Sequence, residues 1–387
     1  MPWKAIKPMD ERVRFIAAVQ ADPCGNFARL CRSFGISRAK GYKWVGRYEA
    51  EGPAGLADRK PVPRSCPHRT ADDIADLVVE LRKKYPHDGP KKLREQLIAA
   101  HPELVIPAAS TIGDIVKRNG LVRPRRPRLR VAPSPNPLGE PSSPNEIWCA
   151  DFKGHFATKD GTRCYPLTIS DAHTRYLIKC EGLTEPRFEP VREQFERAFR
   201  EFGLPARIRT DNGPPFASKA FGGLSHLQVW WVRLGVVPER IEPGHPEQNG
   251  RHERMHRTLK EQTASPPSST FVAQQRAFDA FRADYNERRP HEALGQKPPA
   301  SRYAPSFRAM VERPDPPTYA DDFAVRWVKE NGSMNWKGTE IYMGLPLRSQ
   351  PVGLRQIDED EWEVHFGPLL LGYLLKRNGV SSLEKLT

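Results

Sequence analysis

Asn249-Gly250-Arg251-His252-Glu253-Arg254-Met255-His256-Arg257-Thr258-Leu259-Lys260 reads as a helix that carries one carboxylate among many cations. Asn249 is a capping residue at its start. From there the 3.6-residue period places Glu253, His256, Arg257 and Lys260 on one face. Taken alone, the same pattern would arise on any solvated helix through i,i+4 pairing. Its meaning therefore depends on what lies upstream.

Two aspartates upstream stand where a metal-binding carboxylate would. Asp151 falls inside Ile147-Trp148-Cys149-Ala150-Asp151-Phe152, an apolar run that reads as a buried strand, where an unpaired carboxylate is costly without a cation. Ala206-Arg207-Ile208-Arg209-Thr210 reads as another strand, and the turn signal Asp211-Asn212-Gly213-Pro214-Pro215 leaves an acid at its end. Three carboxylates that converge would offer oxygen ligands to hard cations such as Mg²⁺. Two ions about 3.5–4 Å apart can activate an attacking oxygen and stabilise a leaving one in phosphodiester displacement.

Three motifs, Trp148-x-x-Asp151-Phe152-Lys153-Gly154, Thr210-Asp211-Asn212-Gly213 and Pro246-x-Gln248-Asn249-Gly250-x-x-Glu253-Arg254-x-His256-x-x-Leu259-Lys260, together resemble the catalytic core of DDE transposases and retroviral integrases. The resemblance covers residues 145–303 and includes Tyr285-Asn286-x-Arg288-Arg289-Pro290-His291-x-x-Leu294-Gly295-x-x-Pro298, which is similar to the end of bacterial insertion-sequence cores. It implies an α/β RNase H-like fold that joins DNA ends to target DNA without a covalent protein–DNA intermediate. It also implies that Asp151, Asp211 and Glu253 are the catalytic acids and hold two Mg²⁺ (or Mn²⁺) ions, with His256, Arg257 and Lys260 on the DNA. Glu242 and Glu247 compete for the third place, and Glu247 is separated from Asp211 by 35 intervening residues, a spacing familiar in this family. Glu247, however, precedes the Asn-Gly break and reads as loop, whereas the Pro-x-x-Asn-Gly-x-x-Glu pattern selects Glu253 with 41 intervening residues. The longer gap is ascribed to extra residues around Phe221-Gly222-Gly223-Leu224-Ser225.

The 387 residues exceed the usual length of one domain, and 61 Lys+Arg against 47 Asp+Glu leave a net charge of +14. Such a charge favours a polyanionic partner through counterion release, and nucleic acid is the simplest candidate. The six cysteines show no Cys-x-x-Cys pair, and no His pair completes a zinc pattern, so reduced thiols are expected. No apolar run approaches the roughly 20 residues of a bilayer span, and the amino terminus lacks a signal-peptide core. The expectation is a cytoplasmic protein, nucleoid-associated when bound, with no membrane partner.

Residues 1–51 read as a first helix-turn-helix module. Met9 to Gln20, Asn26 to Phe34 and Arg38 to Ala50 have helical spacing, Gly35 breaks the second from the third, and Ser37 can cap the third. Arg38, Lys40, Lys43 and Arg47 would face DNA, while Tyr42, Val45 and Tyr48 read as core. A linker over 52–69 leads to a second helix-turn-helix module over 70–123, with helices capped by Thr70 and Ser110. A basic, proline-rich linker follows over 124–144; Arg123, Arg125, Arg126 and Arg128 could follow a phosphate backbone or enter a minor groove.

Within the core, Ile147 to Phe156, Cys164 to Asp171 and Tyr176 to Cys180 read as a three-stranded meander, then a helix over Pro186 to Phe202 and the strand to Asp211. Ser218 to Leu234 reads as another helix with Trp230 and Trp231 in the core, before a strand over Val236 to Ile241. Asp171 reads as a turn residue that accepts backbone hydrogen bonds near His173 and Thr174 or pairs with Arg175. Short strand signals over 318–387 predict a small carboxy-terminal β-barrel, in which Trp336 and Lys337 suit either DNA or subunit contact or core packing. The fold class expected is thus multidomain: all-α helix-turn-helix modules, an α/β catalytic core and a β-barrel. The function expected is binding of double-stranded DNA, both terminal repeats and target, by a homodimer or larger assembly that cleaves and joins. The alternative is a DNA-binding regulator with an inactive core.

Overall fold

A computed structural model describes residues 8–59, 69–122, 138–242, 250–377 and 380–385. The chain divides into two units, Met1–Arg69 and Thr70–Thr387. Glu247, Asn249, Arg123, Arg125, Arg126 and Arg128 lie outside the described residues. No helix among the described residues is long and apolar enough to cross a membrane.

The first unit holds helices α1 (Pro8–Ala21), α2 (Phe27–Ser33) and α3 (Arg38–Glu51). Asn26 and Ser37 cap α2 and α3 by accepting the backbone N–H of Arg29 and Lys40. Gly35 makes the turn between them at φ +63°, a conformation that side chains disfavour. The core is Phe15, Ile16, Cys31, Trp44 and Leu56. Gly41 lets α3 approach α2, since a Cβ there would stand 2.6 Å from Cys31 Sγ. The inward face of α3 is therefore Gly41 and Trp44, not the expected stripe of Tyr42, Val45 and Tyr48. Tyr42 is 63% exposed and stacks on Phe27, and Val45 and Tyr48 sit half-buried at the core's edge.

The second unit opens with α4 (Asp72–Lys84), α5 (Pro90–Ala100) and α6 (Ala109–Arg118), packed around Val78, Leu93, Leu97, Ile112 and Ile115. Neither predicted cap is used: α4 starts after Ala71 and α6 after Ala108, which places Ser110 inside the helix. Apolar burial on three short helices, rather than side-chain capping, fixes where they begin.

The central sheet comprises β1 (Ile147–Phe152), β2 (Phe156–Ala157), β3 (Arg163–Asp171), β4 (Leu177–Leu183), β5 (Arg207–Thr210) and β6 (Val237–Arg240). Its spatial order is β4-β3-β1-β5-β6, with β2 pairing the far end of β3. The first strands form an antiparallel meander, whereas β5 and β6 run parallel to β1. This is the arrangement expected of an RNase H-like core. Helices α7 (Phe188–Phe202) and α8 (His226–Arg233) cover one face through Phe195, Phe199 and Trp231, which meet Trp148, Ala150 and Ile178. On the other face α9 (Gly250–Thr263) and α10 (Phe271–Ala283) pack Met255, Leu259, Phe278 and Phe281 against Cys164, Leu177 and Cys180. The strand alternation of Leu177 and Ile178 gives each helix layer its own contact. Helix α8 is shorter than expected because Gly222 and Gly223 take positive φ and Ser225, with Gln228, forms a capping box.

Beyond the core, β7 (Phe323–Trp327), β10 (Pro351–Asp358), β11 (Glu361–Phe366), β12 (Leu369–Arg377) and β13 (Val380–Lys385) pair antiparallel as β13-β12-β11-β10-β7. Strands β8 (Ser333–Trp336) and β9 (Thr339–Tyr342) form a separate hairpin turned at Lys337-Gly338. Among the described residues this is an open five-stranded path, not the closed barrel expected, because β8 and β9 pair only with each other. Its apolar face closes against the outer side of α8, with Val229 and Val232 in one cluster with Val364, Phe366 and Leu371. Trp336 is buried in that cluster, and Lys337 Nζ lies 4.1 Å above the Trp362 ring.

Candidate active site

The parallel register of β1 and β5 builds the site. Ala150 pairs with Thr210, so Asp151 on β1 is followed across the sheet by Asp211, the first residue beyond β5. Neighbouring strands lie about 4.8 Å apart, and both acids stand at the carboxyl ends of parallel strands, the edge where open α/β sheets bind ligands. Asp211 is held in its turn by the Gly213 N–H, which donates to Oδ1 at 3.2 Å. Asn212 Nδ2 donates to the Ile241 carbonyl and ties the same turn to the end of β6.

Across β1, Asp151 pairs in antiparallel register with Thr168 of β3. Helix α9 crosses this face with His252, Met255, His256, Leu259 and Thr263 inward and Glu253, Arg257 and Lys260 outward. His256 is thus on the buried side, 3% exposed, and apart from the three residues expected to share its face. Thr168 Oγ1 lies 2.7 Å from His252 Nε2 and 2.6 Å from His256 Nε2, and Ser170 Oγ is 3.0 Å from His252 Nδ1. His256 Nδ1 stands 3.7 Å from Asp151 Oδ2. Asp151, His252 and His256 form a compact group of potential metal ligands.

The titration of these groups follows from their burial and from the charges around them. Burial pushes the Asp151 carboxyl up to about 7, helped by the negative charges of Asp211 and Glu253, while the Phe152 N–H and Lys153 oppose the shift. Burial also raises Asp211, against the Gly213 hydrogen bond. Both histidines are held neutral by burial, His252 at about 3 and His256 lower still, with His252 and Lys153 adding to the shift of His256. A carboxylate so disfavoured, beside the end of β5 and two neutral imidazoles, is a group that gains from a cation.

The other expected site residues divide clearly. Arg257 and Lys260 are exposed on α9, with Arg257 Nε 3.9 Å from Glu261. Arg38, Lys40 and Lys43 are exposed on α3, and Arg47 is half-buried with its guanidinium 5.2 Å from the Trp44 ring. Asp171 is fully buried, and accepts from Asn145 N–H at 2.7 Å and from the Thr174 N–H and hydroxyl at 2.6 and 2.7 Å. It is a structural turn residue, as its sequence context predicts. Sequence reasoning passed over His252, Thr168 and Lys153; the i,i+4 spacing of His252 and His256 was the available signal for the pair.

The Tyr285-Asn286 motif also finds its reason here. Asn286 accepts the Leu177 N–H and donates to the Leu177 carbonyl at 2.8 and 2.9 Å, which clamps the start of β4. Tyr285 packs edge-on to His291.

Comparison with known proteins agrees with this architecture. The integrase core domain family matches residues 141–246 and, in a second form, 234–299. A helix-turn-helix domain family matches 11–64 and a homeodomain-like domain family 40–116. The insertion element IS407 uncharacterized 31.7 kDa protein of Burkholderia multivorans is 30% identical over 296 residues, 74% of this chain and 93% of that protein. The insertion element IS476 uncharacterized 39.2 kDa protein of Xanthomonas euvesicatoria is 30% identical over 242 residues, 61% of this chain and 66% of that protein. The Gag-Pol polyprotein of baboon endogenous virus is 27% identical over 251 residues, 62% of this chain and 14% of the polyprotein. With its amino-terminal helix-turn-helix domains and integrase core, the chain belongs to the transposases of bacterial insertion sequences.

Proposed function

We propose that the protein is a DNA strand transferase that binds the terminal repeats of its element, cleaves at their ends and joins them to target DNA. The observation that carries this reading is the β1/β5 register, which sets Asp151 beside Asp211, together with the charge of Glu253 felt at Asp151. Asp151, Asp211 and Glu253 would hold two divalent ions, Mg²⁺ or Mn²⁺, through carboxylate oxygens. When bound, such ions lower the pKa of a coordinated hydroxyl and neutralise charge on the leaving oxygen.

The chain's own groups supply the rest. The sheet edge fixes Asp151 and Asp211 before DNA arrives, so little reorganisation is needed at the moment of reaction. Lys153, whose charge reaches Asp151, is placed to attract a phosphate to the same spot. Arg257 and Lys260 on the outer side of α9 extend that attraction along the strand. Arg38, Lys40, Lys43 and Arg47 of α3 would dock in a major groove of the terminal repeat, and Arg123, Arg125, Arg126 and Arg128 would follow the backbone between modules. Two element ends must be held together for joining, so the working form would be a homodimer or larger assembly in the cytoplasm.

The test is joining of a labelled terminal-repeat duplex to plasmid DNA by the full chain, with and without Mg²⁺. Metal-dependent joined product is expected. Specific binding of the repeat with no cleavage under any divalent ion would replace this reading with that of a DNA-binding regulator.

A further inference from the structure

The hydrogen-bond inventory around Thr168 points to one pair of tautomers for the two histidines. The Thr168 hydroxyl has one proton, and donates it to the Asp151 carbonyl at 3.2 Å. The imidazoles at 2.7 and 2.6 Å must then both donate Nε2–H to Thr168 Oγ1. Each Nδ1 is left as a lone pair. That of His252 accepts from Ser170 Oγ at 3.0 Å, so both nitrogens of His252 are used. That of His256 faces Asp151 Oδ2 at 3.7 Å in a place where the ring is 3% exposed. A buried lone pair aimed at a carboxylate oxygen is an arrangement that lacks a positive centre between the two atoms.

We infer that His256 Nδ1 is a nitrogen ligand to a divalent ion shared with Asp151, with Thr168 and His252 as the groups that orient it. A ligating imidazole characteristically spends its other N–H on a fixed acceptor, which sets the tautomer and the ring orientation, and Thr168 Oγ1 is that acceptor. His252 buttresses Thr168 from the far side and is not itself a ligand. An imidazole nitrogen beside carboxylates suits a transition-metal ion better than Mg²⁺. The site is therefore expected to take Mn²⁺ in preference to Mg²⁺. The inference deepens the proposed carboxylate site and rests on it.

The experiment is electron spin echo envelope modulation on the full chain loaded with Mn²⁺ alone. Nitrogen-14 coupling on the bound Mn²⁺ is expected. It should change to the nitrogen-15 pattern in wild-type chain grown on nitrogen-15 histidine, and be lost in His256→Gln while the bound Mn²⁺ signal persists. Bound Mn²⁺ with no nitrogen coupling in the wild type would overturn the inference and leave the carboxylate site standing. Coupling that survives in His256→Gln would also overturn it, by placing the ligand on another histidine. Absence of any bound Mn²⁺ signal would remove the carboxylate site and the inference together. Should His256→Gln fail to fold, His252→Gln serves in its place: nitrogen coupling that persists there is expected, and its loss would overturn the inference by placing the ligand on His252.

Discussion

Arg288 donates from Nη1 to Asp88 Oδ2 at 2.9 Å, joining the motif that ends the integrase core to the turn between α4 and α5. Asp88 is 1% exposed, is also bonded by Gln96 at 2.8 Å, and has Arg289 Nη1 3.5 Å from its other oxygen. The Arg288 guanidinium carbon in turn lies over the Tyr85 ring, 3.6 Å from its centroid. The Arg288-Arg289 pair is thereby a clasp between the second helical module and the catalytic core.

Removing one partner of a buried ion pair typically costs about 3–5 kcal/mol, because the other charge is left uncompensated. Asp88→Ala is therefore expected to lower stability by about 3 kcal/mol, measured by urea unfolding, and to speed proteolytic release of residues 70–122. Burial alone would raise the Asp88 carboxyl, but Arg289, Gln96 and Arg288 outweigh it and hold it below the usual value. A depressed folded value adds stability above the unfolded value of about 4 that is lost as pH falls further. The clasp should loosen on acidification below about pH 4, and Asp88→Ala should blunt that loss.

Asp171 gives a stability prediction of a different kind. Its carboxylate accepts three hydrogen bonds in a fully buried turn, so the amide of Asp171→Asn would point a donor at donors. A loss of about 1–3 kcal/mol is expected, read by thermal unfolding. Asp211→Asn, which leaves the half-exposed Gly213 turn in place, should change stability little by comparison.

Divalent-ion binding should depend on pH through Asp151. Its folded value of about 7 lies above the 3.8 of an unperturbed aspartate, so the folded chain retains a proton that the unfolded chain releases between those values. Metal-free stability then falls as pH rises across that window, and an ion that replaces the proton restores it. The rise in melting temperature on adding Mg²⁺ should accordingly be small at about pH 5.5 and larger at about pH 8. Equal rises at both values would place the ion elsewhere.

Helix α3 should contribute charge-driven affinity. Lys40→Ala and Lys43→Ala remove exposed cations, of which Lys43 also places its Nζ 5.3 Å from the Trp44 ring. Each is expected to lower the slope of log affinity against log salt by about 0.9 for terminal-repeat duplex, measured by fluorescence anisotropy across a salt series. An unchanged slope would take that residue off the phosphate backbone.

Much of this architecture was legible because its signals are local. The strand at Asp151, the turn at Asp211 and the helix breaks at Gly35 and Gly203 each declare themselves within a few residues. The inward face of α9 was misread: charge spacing placed His256 with Glu253, Arg257 and Lys260, whereas the apolar positions Met255 and Leu259 decide which side packs. Thr168 and Ser170 gave no signal, since only the antiparallel register opposite β1 brings Thr168 to Asp151. The closed barrel was overcalled for a related reason. Strand runs are visible in a sequence, but whether β8 and β9 pair with the sheet or only with each other is a long-range choice. The Asp88 clasp spans 200 positions and was likewise invisible.

The central claim is that Asp151, Asp211 and Glu253 act together on one phosphodiester. The most direct test compares strand joining by the wild type with Asp151→Asn, Asp211→Asn, Glu253→Gln and Glu247→Gln, each checked for retained repeat binding. Loss of joining by at least about 10³-fold in the first three, with Glu247→Gln near wild type, is the predicted result; effects of roughly this size accompany loss of a group that stabilises charge in the transition state. Glu253→Gln that joins normally while Glu247→Gln does not would contradict it, and would make Glu247 the third acid.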